Sequence, residues 1–129
     1  MKDRKKPTEA ELGILRVLWT RGPSTVREVA EQMGREGAYT TVLKLLQIMT
    51  DKGLTTRVSL GLQHVYTPRR TEQDTQRQLV KDLLDRAFDG SAPQLVMQAL
   101  ASTAATPEEL REIRRLIAAT GASAKEKKS

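Results

Sequence analysis

The sequence predicts a mainly α-helical chain with a short β-hairpin near its middle. Three observations predict it. Polar capping residues recur just ahead of apolar residues at helical spacing. The apolar period changes from 3.6 to two only over residues 54–67. The excess positive charge is confined to the half that contains those residues.

The elements follow in order. Residues 1–7, ending at Pro7, read as a polar basic arm. Thr8 and Glu11 form a capping box: the hydroxyl takes a free backbone N–H and the carboxylate reaches back to another. Leu12, Leu15, Leu18 and Trp19 then make one apolar face, and Arg21-Gly22-Pro23 ends the helix. Thr25 and Glu28 repeat the box. Val26, Val29, Ala30 and Met33 are the expected buried stripe of the second helix, closed by Gly34 and Gly37. A third helix begins near Ala38 to Thr40, turns Val42, Leu45, Leu46 and Met49 inward, and stops at Lys52-Gly53. Residues 54–58 and 63–67 read as two strands, with Ser59 to Leu62 as the turn and Pro68 as the stop.

The remainder reads as three helices. Thr71 with Asp74 opens a long one reaching about Phe88, and Asp89-Gly90 breaks it. Ser91 opens a short helix through Leu100. Thr106-Pro107-Glu108-Glu109 is a strong start, with proline at the first helical position. That last helix is expected to end at Gly121, leaving residues 122–129 as a polar tail.

Composition excludes several functions. With no cysteine, a disulfide scaffold, a thiolate metal site and a thiol nucleophile are all out. One histidine excludes a His-rich zinc site. Four aromatic residues are too few for a platform that stacks single-stranded bases. No nucleophile–base pair, phosphate-cradling glycine loop or metal cluster is evident. The expectation is therefore a non-enzyme without cofactor or metal. No apolar run approaches the ~20 residues of a membrane span, and the N-terminus lacks the apolar region of a secretory signal. A cytoplasmic protein without membrane insertion is expected.

Charge is partitioned. Residues 1–70 hold 13 Lys/Arg against 7 Asp/Glu, whereas residues 71–129 hold 9 of each. A basic half beside a neutral half suggests a polyanion-binding part and a part with another task. Three helices followed by a hairpin is the order of a winged helix-turn-helix, whose third helix enters the DNA major groove. Its polar residues here are Thr40, Thr41, Lys44 and Gln47. Thr and Gln can hydrogen-bond base edges and phosphates, and Lys adds charge. Tyr39 at the start of this helix and Arg57 in the first wing strand complete the candidate contacts to double-stranded DNA. The plainer reading is a solvated polar face. His64, alone in the second strand, reads as structural or as a DNA-backbone contact, and Trp19 as core.

The neutral half needs a cover. Three short helices, each apolar on one side, make a marginal core on their own. Pairing with a second copy about a two-fold axis would bury those faces. The candidate dimerisation residues are Leu79, Leu83, Leu84, Phe88, Leu95, Leu110, Ile113, Leu116 and Ile117. The expected division is thus a winged-helix domain over 8–70 and a helical dimerisation domain over 71–121.

The stretches Tyr39-Thr-Thr-Val-Leu-Lys-Leu-Leu-Gln-Ile-Met-Thr-Asp-Lys-Gly-Leu54 and His64-Val-Tyr-Thr-Pro68 resemble the penicillinase-repressor family, the BlaI/MecI/CopY type. Thr8-Glu-Ala-Glu-Leu12, Leu18-Trp19 and Thr25-Val-Arg-Glu-Val29 fit its first two helices, and the resemblance spans about residues 7–118. It implies a homodimeric transcriptional repressor of β-lactam-resistance or metal-homeostasis operons. It also implies Thr40, Thr41 and Lys44 as recognition-helix contacts, and a membrane metalloprotease sensor that triggers cleavage. Three departures stand out. Ile48 occupies a position that is usually basic. The wing tip, Leu60-Gly61-Leu62, is apolar where relatives tend to be charged. The Asn-Phe bond cut in some members falls near Gln98-Ala99 here, and Ala99 offers a protease pocket almost no side chain. The cysteine-rich tail of the copper-responsive branch is missing as well. The competing reading, favoured by the apolar wing tip, is a winged-helix protein-interaction module without DNA readout.

Overall fold

The computed structural model describes residues 6–34 and 38–128. Most of the basic arm, and Gly37 at the expected end of the second helix, lie outside the described residues. The elements run α1 (Glu9–Arg21), β1 (Ser24–Thr25), α2 (Val26–Met33), α3 (Ala38–Lys52), β2 (Thr55–Leu60), β3 (Gln63–Pro68), α4 (Glu72–Ala87), α5 (Ala92–Ser102) and α6 (Pro107–Lys128). No helix among the described residues is long and apolar enough to cross a membrane.

The caps form as the sequence predicts. Thr8 Oγ1 accepts the Glu11 N–H at 3.2 Å while Glu11 accepts the Thr8 N–H at 2.8 Å. Thr25 and Glu28 repeat this at 3.2 and 2.9 Å. The Thr25 N–H, and then the Arg21 guanidinium, hold the Glu28 carboxyl below its ordinary range. Thr106 and Glu109 close a third box at the head of α6. Gly34 ends α2 with φ 69° in the left-handed region, which glycine enters without a Cβ clash.

Contacts divide the chain into two compact units, residues 1–82 and 83–129. The core of the first is Ile14, Leu15, Leu18, Val26, Val29, Val42, Leu46, Met49 and Tyr66, all buried. Each such side chain contributes roughly 1.5–3 kcal/mol by leaving water. A three-stranded antiparallel sheet of order β1-β3-β2 closes one side of these helices. Thr50 Oγ1 lies 2.9 Å from Thr55 Oγ1, and Leu54 N–H donates to Met49 C=O, so the wing is tied directly to the end of α3. The Trp19 indole N–H donates to the Arg70 carbonyl at 2.9 Å, linking α1 to the start of α4. Trp19 is half-buried against the core, not fully inside it.

The structure corrects the sequence reading in five places. A third strand, β1, pairs Ser24 with Tyr66 and Thr25 with Val65. The hairpin turn is only Gly61-Leu62, with Leu60 paired to Gln63, so both strands are longer than expected. Gly61 takes φ 64°, as two-residue hairpin turns require of a central residue. Ile14 is fully buried, whereas Leu12 is half-buried. Met33, in the last turn of α2, is 38% exposed and outside the core. Finally, α6 continues through Gly121 to Lys128. A mid-helix glycine costs only about 1 kcal/mol, and the alanines around Gly121 are the best helix formers.

In the second unit no side chain of α5 is buried. Of the candidate dimerisation residues, Leu83, Leu110, Leu116 and Ile117 are exposed, at 47%, 38%, 51% and 58%. Leu79, Leu84, Phe88, Leu95 and Ile113 are half-buried. The four exposed side chains are left uncovered by the described residues of the single chain.

Candidate nucleic-acid interface

The 3.6-residue period sorts α3 into two sides. Val42, Leu46 and Met49 face the core. Thr40, Thr41, Lys44, Gln47, Ile48 and Asp51 make an exposed stripe opposite. Tyr39 is 49% exposed at the N-terminus but falls outside that stripe by spacing. Among the described residues, no hydrogen bond or ion pair engages the side chains of Thr40, Thr41, Lys44 or Gln47. Four hydrogen-bonding side chains thus stand unengaged on one face. The single carboxylate of the stripe, Asp51, sits at its C-terminal end. The N-terminal end is therefore the one suited to a polyanion, and the helix dipole favours anions there too.

The wing adds cations. Arg57 on β2 is exposed and has no partner among the described residues. The same holds for Arg27 at the start of α2 and Arg69 beyond β3, which the sequence reading did not single out. Arg27 stands four residues before Glu31, a spacing that suggests an ion pair. No such pair forms, so only the structure reveals the free cation. Ile48, where a basic residue would suit phosphate, is 41% exposed and offers only an apolar surface. Arg21, by contrast, is engaged by Glu28.

An ion pair with a buried carboxylate ties α1 to α3. Glu11, 2% exposed, accepts from Lys52 Nζ at 2.7 Å and joins the head of α1 to the end of α3. The sequence reading assigned Glu11 only its capping role. Lys52 lies 41 residues away, and no local pattern could have announced the contact.

A helix-turn-helix with an attached hairpin, and an unengaged polar face on its third helix, defines a winged-helix DNA-binding protein. The family model described as penicillinase repressor matches residues 7–119. The chain belongs to that family and is a DNA-binding repressor. It is 24% identical over 119 residues to the penicillinase repressor of Bacillus licheniformis, covering 91% of this chain and 93% of that one. It is 32% identical over 92 residues to the transcriptional regulator BlaI of Mycobacterium tuberculosis, covering 69% and 67%. Among solved structures, a homodimeric winged helix-turn-helix DNA-binding domain from Mycobacterium bovis aligns with a TM-score of 0.42 and 25% identity, over 63% of this chain and 72% of that one.

Proposed function

We propose that this repressor binds dyad-symmetric operators as a homodimer in the cytoplasm, and that it controls a β-lactam-resistance or stress operon. Thr40, Thr41 and Gln47 read base edges in the major groove, while Lys44, Arg57 and the Tyr39 hydroxyl hold phosphates. The helical part over 71–121 supplies the dimer contact through the leucines, isoleucines and Phe88 of its apolar faces. The observation that carries the reading is the unengaged polar stripe of α3, in the half of the chain that holds all the excess positive charge.

The test is a gel-shift titration at two salt concentrations. Lysine and arginine displace condensed counterions, so affinity is expected to fall steeply as salt rises. A duplex with two half-sites near a whole number of turns apart should bind far more tightly than one half-site. Salt-independent binding, or full affinity for one half-site, would contradict the proposal.

Release of repression is the second part. A membrane metalloprotease sensor is the partner the family suggests: either such a protease cuts within residues 88–105, or release is not proteolytic. Gln98 and Ala99 are exposed on α5, and a protease must first open that helix. The non-helical stretches at 88–91 and 103–106 open at lower cost. The competing reading, a protein-interaction module, draws on Val58, Leu60 and Leu62, which are 56%, 63% and 104% exposed. It predicts no duplex binding at any salt concentration.

A further inference from the structure

The wing has two unlike faces. Residues alternate between faces along a strand, and cross-strand partners share a face. The register pairs Arg57 with Tyr66 and Ser59 with His64. Those four residues and Thr55 therefore lie on one face, while Val58, Leu60 and Val65 lie on the other. Tyr66 and Thr55 are each 1% exposed, and Tyr66 belongs to the helical core. The first face is thus the one turned toward the helices. Beyond the core it continues outward as Arg57, Ser59 and His64, all exposed. The outer face presents Val58 and Leu60, which have nothing to offer a phosphate.

We propose that His64 is the wing's second DNA contact beside Arg57, and that its imidazole meets a backbone phosphate in the protonated form, so that duplex binding takes up protons. The inference rests on the DNA-binding reading and adds a residue and a pH dependence to it. Ser59 Oγ lies 3.2 Å from His64 Nδ1, which leaves Nε2 for an outside partner. Neutral imidazole can accept the Ser59 hydroxyl at Nδ1 and donate from Nε2 to a phosphate oxygen, but only the imidazolium adds the attraction of opposite charges to that contact.

No anion among the described residues pairs with the imidazole. No carboxylate occurs between residues 52 and 71, and Arg57 is the one charged group sharing the face. β1 brings only Ser24 and Thr25 against β3. Of the helices touching β3, α1 carries Glu9, Glu11, Arg16 and Arg21, and α2 carries Arg27, Glu28 and Glu31. Glu11 is bound to Lys52 and Glu28 to Arg21, and none of the seven is hydrogen-bonded or ion-paired to His64. A duplex phosphate would supply the anion that His64 lacks among the described residues. His64 is also the only histidine, and there is no cysteine. No other side chain of ordinary chemistry changes charge between about pH 6 and 8.

The test measures duplex affinity from pH 8 to pH 6 at constant salt, for wild type, His64→Gln, His64→Arg and Leu60→Ser. Two probes serve: an arbitrary duplex long enough for two half-sites, and a duplex selected by the wild-type protein from a random pool. Wild type should tighten about tenfold on both as pH falls, His64→Gln less than about twofold, and His64→Arg should bind tightly with no pH trend. Leu60→Ser should match wild type. Equal pH trends in wild type and His64→Gln would overturn the inference. So would weakened binding in Leu60→Ser with none in His64→Gln, because the outer face would then touch the duplex. A wild type that binds neither probe would overturn the DNA-binding reading itself, an outcome distinct from both.

Discussion

Leu83→Asp and Leu116→Asp are each expected to turn the proposed dimer into a monomer and to lower operator affinity by about 10²–10⁴-fold. Both side chains are about half exposed in the single chain, so the substitution leaves its own fold largely undisturbed. Covered by a second copy, the same carboxylate would be buried without a partner, which costs several kcal/mol per site. A two-fold axis places that cost twice in each dimer. The affinity loss follows because two linked half-site contacts become one, and the linkage contributes about 10²–10⁴ in avidity. Sedimentation and gel shift on the same samples measure both effects. Trp19 fluorescence, which reports only on the first unit, should stay native. An unchanged dimer in both variants would mean that these leucines face something else.

Lys52→Met is expected to destabilise the first unit by about 3 kcal/mol. It leaves the Glu11 carboxylate, 2% exposed, with its capping contact alone. Removing one partner of a buried pair costs about 3–5 kcal/mol, and the partial exposure of Lys52 argues for the lower end. Against a total stability of roughly 5–15 kcal/mol that is a large fraction. The double variant Glu11→Gln/Lys52→Met should recover much of the loss, since no unpaired charge then remains. Urea unfolding followed by Trp19 fluorescence reads this directly, because Trp19 is the only tryptophan and packs on the same core. An unchanged midpoint for Lys52→Met would show that the pair holds nothing together.

These two cases mark what was legible in the sequence. Helix starts were legible because capping boxes are local: Thr8, Thr25 and Thr106 each announce themselves within four residues. The change of period at residue 54 announced the wing. The polar stripe of α3 was legible because Thr40, Thr41, Lys44 and Gln47 fall opposite the apolar period. The long-range contacts were not. β1 is two residues long and reads as a loop followed by a cap, and only its pairing with Tyr66 and Val65 makes it a strand. The Glu11–Lys52 pair joins residues 41 positions apart. The two faces of the wing depend on a register set by the two-residue turn, and a turn read as Ser59 to Leu62 leaves that register unset. Gly121 misled because a helix stop needs more than a glycine, and the residues around it favour continuing.

The exposed stripe of α3 is proposed to read bases in each half of a symmetric site. Selection of duplexes from a random pool by wild type, Thr41→Ala and Lys44→Ala tests it most directly. Wild type should select a dyad-symmetric sequence. Thr41→Ala should relax preference at corresponding positions of both halves, a loss of about 1–3 kcal/mol of discrimination. Lys44→Ala should keep the preference while weakening binding to every duplex. The same selected sequence at undiminished affinity from all three proteins would contradict it, because α3 would then not be the element that meets the DNA.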